Sequence, residues 1–530
     1  MTETLSLLDD PASAHDVEAA GVARWMPHRL FSYERALGVR EAERLGCEVL
    51  DAGDELRVVT GEPRRLVERA TYLAAVAWPD GSTCETRQAE VERTHARLRG
   101  SATRRQATRY GLHGIHEYKG KFNPQIVRAV CNVVDPDADV LLDPFCGSGT
   151  ALIEGLRLGL DVVGIDRSPM ATLLASTKVA ATLEHERPRL RAALGRLARA
   201  TTDALERGQR GGGGESLDGL LSPEAVDYLS SWFTPPAFAA MSRGLAVLLP
   251  RRDTLAARLL LVALSSIVRS VSLQAPEDLR IRRRGGPFVA PSLGALFDAA
   301  VARVEQALEE VSDWPAVTAT WSVLPGSADE PSSYSALPSA GRRLIVTSPP
   351  YATALPYIDT DRISLVALGL VEPAELSMRE RDLTGSREWS RTQQRAWDER
   401  RTANEAQLPP AIVELLARIE RLNDGGGAGF RRRAVPSLLY RYFARMRAAM
   451  CAWAEVLRPG EHAALVVGHN RTTAGGAAID LATPELLGEI AGAGAFEVVE
   501  LMPLETWPRY GLHAGNAVSH EDLLVLRRRG

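Results

Sequence analysis

Asp143-Pro144-Phe145-Cys146-Gly147-Ser148-Gly149-Thr150 is the stretch on which the reading of this chain turns. It follows a short apolar run, Val140 to Leu142, and opens into the helical pattern Thr150 to Leu158, so the predicted order is strand, glycine turn, helix. Gly147 and Gly149 let backbone approach a ligand with no Cβ in the way, and Asp143 at the strand end can accept hydrogen bonds from a ligand amine. The third glycine of a dinucleotide fingerprint is replaced by Leu152, and no Gly-Lys-Ser/Thr ending follows. A nucleoside without phosphates therefore suits the turn better than a pyrophosphate. Leu160 to Ile165 reads as the next strand, with Asp166 at its end placed to bridge ribose hydroxyls.

A second stretch completes the pattern. Leu344 to Val346 reads as a central strand running into Thr347-Ser348-Pro349-Pro350-Tyr351, where two adjacent prolines cannot continue a ladder and turn the chain out at the carboxyl edge of the sheet. An exocyclic amine on a nucleic-acid base is a poor nucleophile because its lone pair is delocalised into the ring. The Ser348 hydroxyl and Pro349 carbonyl would grip its hydrogens and favour in-line attack, and Tyr351 offers a flat face for an extruded base. A rigid loop with an ordinary surface tyrosine explains a bare Ser-Pro-Pro-Tyr about as well.

The rest of the chain sets bounds. Its 530 residues allow a full catalytic core with attached parts. A formal charge of -4 provides no global field toward a polyanion, so nucleic-acid contact must come from local patches. Arg104, Arg105 and Arg109 leading to Lys119 and Lys121, the run Arg280 and Arg282 to Arg284, and Arg431 to Arg433 are such patches, or plain solvated surface. The five cysteines form no CxxC pair, which argues against zinc or a disulfide framework, and no metal site is expected. With no secretory signal or membrane-length apolar run, a reducing cytoplasm is the expected location and no membrane partner is expected.

The expected organisation is a loose leader at 1–24, a small α+β module at 25–100, a first core segment at 101–180, a mainly helical insertion at 181–317 and a second core segment at 318–530. In the module, Arg35 to Leu45 and Pro63 to Ala77 read as helices; substrate recognition and a packing extension fit it equally. The insertion carries the flexible run Gly211 to Gly214, and Ser377 to Asn404 reads as a long polar loop. Late strands at Phe496 to Leu501 and Leu523 to Leu526 suggest an antiparallel edge on an otherwise parallel α/β sheet.

The blocks at 143–150, Asp166 and 347–351 together closely resemble the amino-methyltransferases of DNA that modify cytosine N4 or adenine N6. His113 to Pro124 resembles the family element that closes over the methionine end of the cofactor. The resemblance implies a Rossmann-like, seven-stranded methyltransferase sheet, S-adenosyl-L-methionine as cofactor, double-stranded DNA as partner and, as a further possibility, a cognate restriction or defence nuclease. It assigns Lys121, Phe122, Asp143, Phe145, Gly147 and Gly149 to the methionine side, Asp166 to the ribose and Asp329 to the adenine amine, while Ser348, Pro349, Pro350 and Tyr351 hold the target base. The serine-type tetrad leans toward cytosine N4. Adenine N6, the amino group of guanine in transfer RNA, and an inactive nucleic-acid-binding subunit are the alternatives.

Smaller signals remain. Arg109-Tyr110-Gly111-Leu112-His113 recurs as Arg509-Tyr510-Gly511-Leu512-His513, which suggests tyrosine stacking and arginine–phosphate contacts at one cleft, or coincidence. With Lys119, Arg282 and Arg283 these make the candidate nucleic-acid contacts. Asn470 leaves a strand at the same edge as the tetrad, to orient a base or a loop; Tyr357 and Asp359 stand just beyond it; His469 has no carboxylate at ligand spacing.

Overall fold

The computed structural model describes residues 21–61, 64–100, 106–118, 120–121, 123–207, 217–275, 281–352, 357–424, 429–505 and 520–530. The chain divides into two compact units, Met1–Gln106 and Ala107–Gly530.

The first unit is built on an antiparallel sheet of five strands, β1 (Gly21–Trp25), β2 (Glu48–Asp51), β3 (Glu55–Thr60), β4 (Leu73–Ala77) and β5 (Thr83–Glu85), in the order β2-β3-β1-β4-β5. Ala23 and Trp25 in β1 and Leu56 and Val58 in β3 alternate onto the buried side, while Leu73 and Val76 of β4, on either side of a register shift against β1, are buried as well, as are the helical Leu37 and Leu66. Strand β1 begins inside the stretch read as a leader; residues 1–20 lie outside the described ones. The single helix expected from Pro63 to Ala77 is instead a short helix, Arg64–Arg69, followed by β4. Thr71 accounts for the break: its amide and hydroxyl both donate to the buried Glu41 carboxylate, which takes that backbone out of a helical ladder.

The second unit holds a seven-stranded mixed sheet: β6 (Val140–Asp143), β7 (Asp161–Asp166), β8 (Trp321–Pro325), β9 (Arg343–Thr347), β10 (His462–Gly468), β13 (Phe496–Glu505) and β14 (His520–Arg528), in the order β13-β14-β10-β9-β6-β7-β8. A separate hairpin, β11 (Asn470–Ala474) with β12 (Ala477–Leu481), follows β10. Strands β8, β7, β6, β9 and β10 run parallel, and β14 pairs antiparallel with both β10 and β13. The fold is Rossmann-like, with the antiparallel edge where the late strands predicted it. Burial of every residue of Val140–Asp143 marks β6 as a central strand covered on both faces.

After β6 the chain adds β7 and β8 on one side and β9 and β10 on the other, so the order reverses between β6 and β9. Loops leaving the carboxyl ends of those two strands diverge, and the crevice between them is where open α/β sheets hold ligands. The connection from β7 to β8 carries the helices Arg187–Glu206, Pro223–Trp232, Pro235–Leu248, Leu255–Val271 and Leu293–Ser312, which form the mainly helical insertion. The run Gly211 to Gly214 lies outside the described residues.

The stretch expected as a polar loop, Ser377 to Asn404, contains two helices, Leu376–Asp382 and Arg391–Thr402. The second is almost wholly polar, so no apolar stripe announced it. A capping box joins Ser390 and Gln393 at its start, Trp397 packs edge-on to Tyr440, and Arg401 pairs with Glu420 and donates to Ser437.

Candidate active site

The glycine turn is held from beneath by carboxylates. Asp166 accepts from the Gly147 amide at 2.9 Å and the Ser168 amide at 2.8 Å, and burial raises its carboxyl to about 6. Gly147 sits at φ +49, and a Cβ there would stand 3.1 Å from the Tyr118 ring. Gly149, at φ +81, begins the helix Thr150–Arg157, and its missing Cβ makes room for the Ala175 backbone at 3.0 Å. The first glycine thus faces the cavity and the second serves packing between helices.

Asp143 plays a different part from direct ligand contact. It is fully buried and is not part of the cavity lining. Its Oδ1 accepts from the Thr347 hydroxyl at 2.6 Å and the Phe145 amide at 3.1 Å, while Oδ2 is buried without a hydrogen-bond partner. Burial lifts this carboxyl to about 7, against the lowering effect of those two donors. Asp143 therefore fastens the strand end that launches the glycine turn to the strand end that launches Ser348-Pro349-Pro350-Tyr351.

The two turns open onto one cavity of about 590 Å³ of empty space, counting its open mouth. Phe145, Gly147, Asp166, Ser327, Ser348 and Pro350 all line it, together with Tyr118, Tyr357 and Thr384. The Tyr118 and Tyr357 rings stack with centroids 6.4 Å apart, and burial raises both phenols above their usual range. Thr384 arrives from the end of the helix Leu376–Asp382, whose Glu380 caps the helix Tyr357–Ala367 by accepting from the Ile358 and Asp359 amides at 2.9 and 3.1 Å. Sequence reading missed Thr384 because the whole stretch around it, including the helix that precedes it, had been taken as a polar loop. Tyr118 carried no signal beyond its place in the closing segment.

Several expected site residues lie elsewhere. Lys121 is turned onto backbone, donating to the His113 carbonyl at 2.9 Å, and burial lowers its ammonium to about 7. Asp329 sits one residue past the lining Ala328 and accepts from the Ser327 hydroxyl. Tyr351 packs against Gly468, where a Cβ would meet its ring at 2.8 Å, and donates to Glu521 at 2.6 Å. Asn470 donates to the Ala352 carbonyl at 2.7 Å, the loop-orienting alternative.

The nucleic-acid contacts divide in the same way. Tyr110 is corrected outright: it is fully buried, with its hydroxyl on Glu154 at 2.9 Å and the Arg157 guanidinium over its ring, so it cannot stack on a base. Arg109 is exposed. Arg282 and Arg283 are exposed, with Arg283 over the Trp232 ring at 4.8 Å and donating to the Ser231 carbonyl. Lys119, Phe122 and the whole second Arg-Tyr-Gly-Leu-His string, Arg509 included, lie outside the described residues.

Beneath the closing segment the structure reveals a network unread in the sequence. Glu154 accepts from His113 and Tyr110, both at 2.9 Å, and pairs with Arg157 at 2.7 Å. Burial alone would raise the Glu154 carboxyl, yet Arg157 and His113 hold it down to about 2, while burial lowers His113 to about 3. A Glu and an Arg one turn apart in an otherwise apolar helix was the available signal. His469 was also misjudged: Asp522 lies 3.0 Å from its Nε2, brought there by strand pairing.

Residues 115–207 match a family model described as "UPF0020: RMKL-like, methyltransferase domain". The chain is 44% identical over 68 residues, 13% of each chain, to the Type II methyltransferase M.MjaII of Methanocaldococcus jannaschii. It is 38% identical over 69 residues, 12% of this chain and 15% of the relative, to the Type II methyltransferase M.MvaI of Kocuria varians. The matches thus span about one-seventh of the length of these curated relatives. Among the described residues, no helix is long and apolar enough to cross a membrane.

Proposed function

We propose that this chain is a methyltransferase that uses S-adenosyl-L-methionine to methylate the exocyclic amine of a base in double-stranded DNA, cytosine N4 in preference to adenine N6. The observation that carries the reading is the shared cavity: the Gly147 and Ser348 turns line the same space, and the Thr347–Asp143 bond fixes one strand end against the other. The short matches to Type II methyltransferases support it.

The residues present fit this cofactor. Gly147 leaves a cradle that a Cβ would fill, and Asp166, Ser327 and the Tyr118–Tyr357 pair offer polar and aromatic walls suited to a nucleoside. Phe145 and Gly147 would hold the methionine side, Asp166 the ribose, and Ser327 with Ala328 the adenine. When bound, the cofactor supplies an electrophilic sulfonium methyl. The Ser348 hydroxyl and Pro349 carbonyl would accept hydrogen bonds from the target amine, orienting its lone pair for in-line attack and stabilising the positive charge that develops on nitrogen until the surplus amine proton is lost to water. Glu521, Gly468 and Asn470 hold the turn that presents those acceptors.

The test is to incubate the full chain with methyl-labelled cofactor and either mixed-sequence DNA or total RNA, then identify the product nucleoside by mass spectrometry. N4-methylcytosine in DNA is expected. Label confined to methylguanine in RNA would overturn the substrate assignment, and N6-methyladenine would overturn the choice of base. Ser348→Ala should cut turnover by about 10²-fold, in the range of losing one positioned polar partner, while cofactor affinity holds.

A further inference from the structure

We propose that His469, His520 and Asp522 form a binding site for a transition-metal ion of the Zn²⁺ class, located at the strand ends directly behind the Tyr351 loop. His469 follows the end of β10, and His520 and Asp522 alternate on one face of β14. Pairing of Val467 with Asp522 and Gly468 with Glu521 brings these positions together.

The donor geometry suits such an ion. One ligand atom from each side chain lies within 4.8 Å of the others. His469 Nε2 is 3.0 Å from Asp522 Oδ2, and His520 Nε2 is 3.8 Å from Asp522 Oδ1. Donors bonded at the usual Zn–N and Zn–O lengths stand about 3.3 Å apart around a tetrahedral ion, between the 3.0 and 3.8 Å of these two pairs. Two imidazoles and one carboxylate select a borderline transition ion over Ca²⁺ or Mg²⁺, which prefer all-oxygen sites.

Two independent observations favour a ligand over a plain hydrogen-bonded pair. Asp522 is 5% exposed, and its Oδ1 is buried without a hydrogen-bond partner. The His469–Asp522 bond uses only Oδ2, so it leaves the cost of that oxygen uncompensated. On the far side of the His469 ring, the Glu485 carboxylate lies 4.0 Å from Nδ1. A carboxylate at the second ring nitrogen is the usual support for a metal-bound imidazole, fixing its tautomer and raising its basicity.

The site is coupled to the proposed base loop through the opposite face of the same strand, where Glu521 accepts from Tyr351. A bound ion would pin β10 to β14 and thereby steady Glu521. That consequence rests on the function proposed above, whereas metal binding itself does not.

The full chain, stripped with a chelator and titrated with Co²⁺, should take up one equivalent with visible ligand-field absorption that Zn²⁺ abolishes. His469→Ala and His520→Ala should each remove the band while circular dichroism is unchanged, and Glu485→Gln should weaken Co²⁺ binding by about tenfold. Absence of the band in the unaltered chain, or equal uptake by His469→Ala, would overturn the site. Stoichiometric uptake by a chain that methylates neither DNA nor RNA would support the site while the functional reading failed.

Discussion

Thr347→Val tests the bond that joins the two turns. Valine matches threonine in shape, so the substitution removes one hydroxyl donor and leaves the β9 backbone in place. Asp143 Oδ1 would keep only the Phe145 amide, with Oδ2 already lacking a partner. A hydrogen bond to a charged group is worth about 1.5–3 kcal/mol, and one to a neutral acid about 0.5–1.5 kcal/mol. Because burial has raised Asp143 to about 7, the loss depends on pH. A carboxyl whose folded pKa is raised contributes most below its unfolded value, and its contribution falls as pH rises through the folded one. Removing the Thr347 donor raises Asp143 further and extends that fall to higher pH. The variant should therefore lose about 1 kcal/mol near pH 6 and about 2–3 kcal/mol near pH 8.5. Equilibrium urea unfolding at both pH values measures the difference, and calorimetric titration with S-adenosylmethionine should show weakened binding. A destabilisation of equal size at the two pH values would refute the assignment of an ionising Asp143 as the tether.

Two further substitutions probe the walls and floor of the site. Gly147→Ala places a Cβ 3.1 Å from the Tyr118 ring at a backbone φ of +49, so it should weaken cofactor binding about tenfold or more, measured by calorimetry, with little change in melting temperature. Glu154→Gln breaks the buried group that serves His113, Tyr110 and Arg157, at an expected cost of about 3–5 kcal/mol at neutral pH. Since Glu154 is held down to about 2 from an ordinary 4.5, its stabilisation is present above that ordinary value and lost as pH falls between the two; urea midpoints of the two proteins should converge there.

What could be read locally was read well. The buried run Val140–Asp143, the turn glycines and Asp166, and the double proline after β9 each depend on short-range rules of periodicity, backbone freedom and the missing amide of proline. Elements without an apolar period were misread. The helix Arg391–Thr402 is almost wholly polar and rests on its capping box, the Trp397–Tyr440 contact and the Arg401–Glu420 ion pair, and β4 follows a break set by Glu41, thirty positions away in sequence.

Side-chain roles followed the same division. Residue types at the strand ends pointed to the carboxyl edge of the sheet, and the Gly147 and Ser348 turns do open there onto one cavity. Direction of each side chain was decided by neighbours far away along the chain. Asp143 turned inward to meet Thr347, Tyr110 was drawn down onto Glu154, and Asp522 came to lie against His469 through the antiparallel pairing of β10 with β14. Spacing along a chain records which groups are available, whereas burial and pairing between strands remote in sequence determine which partner each one meets.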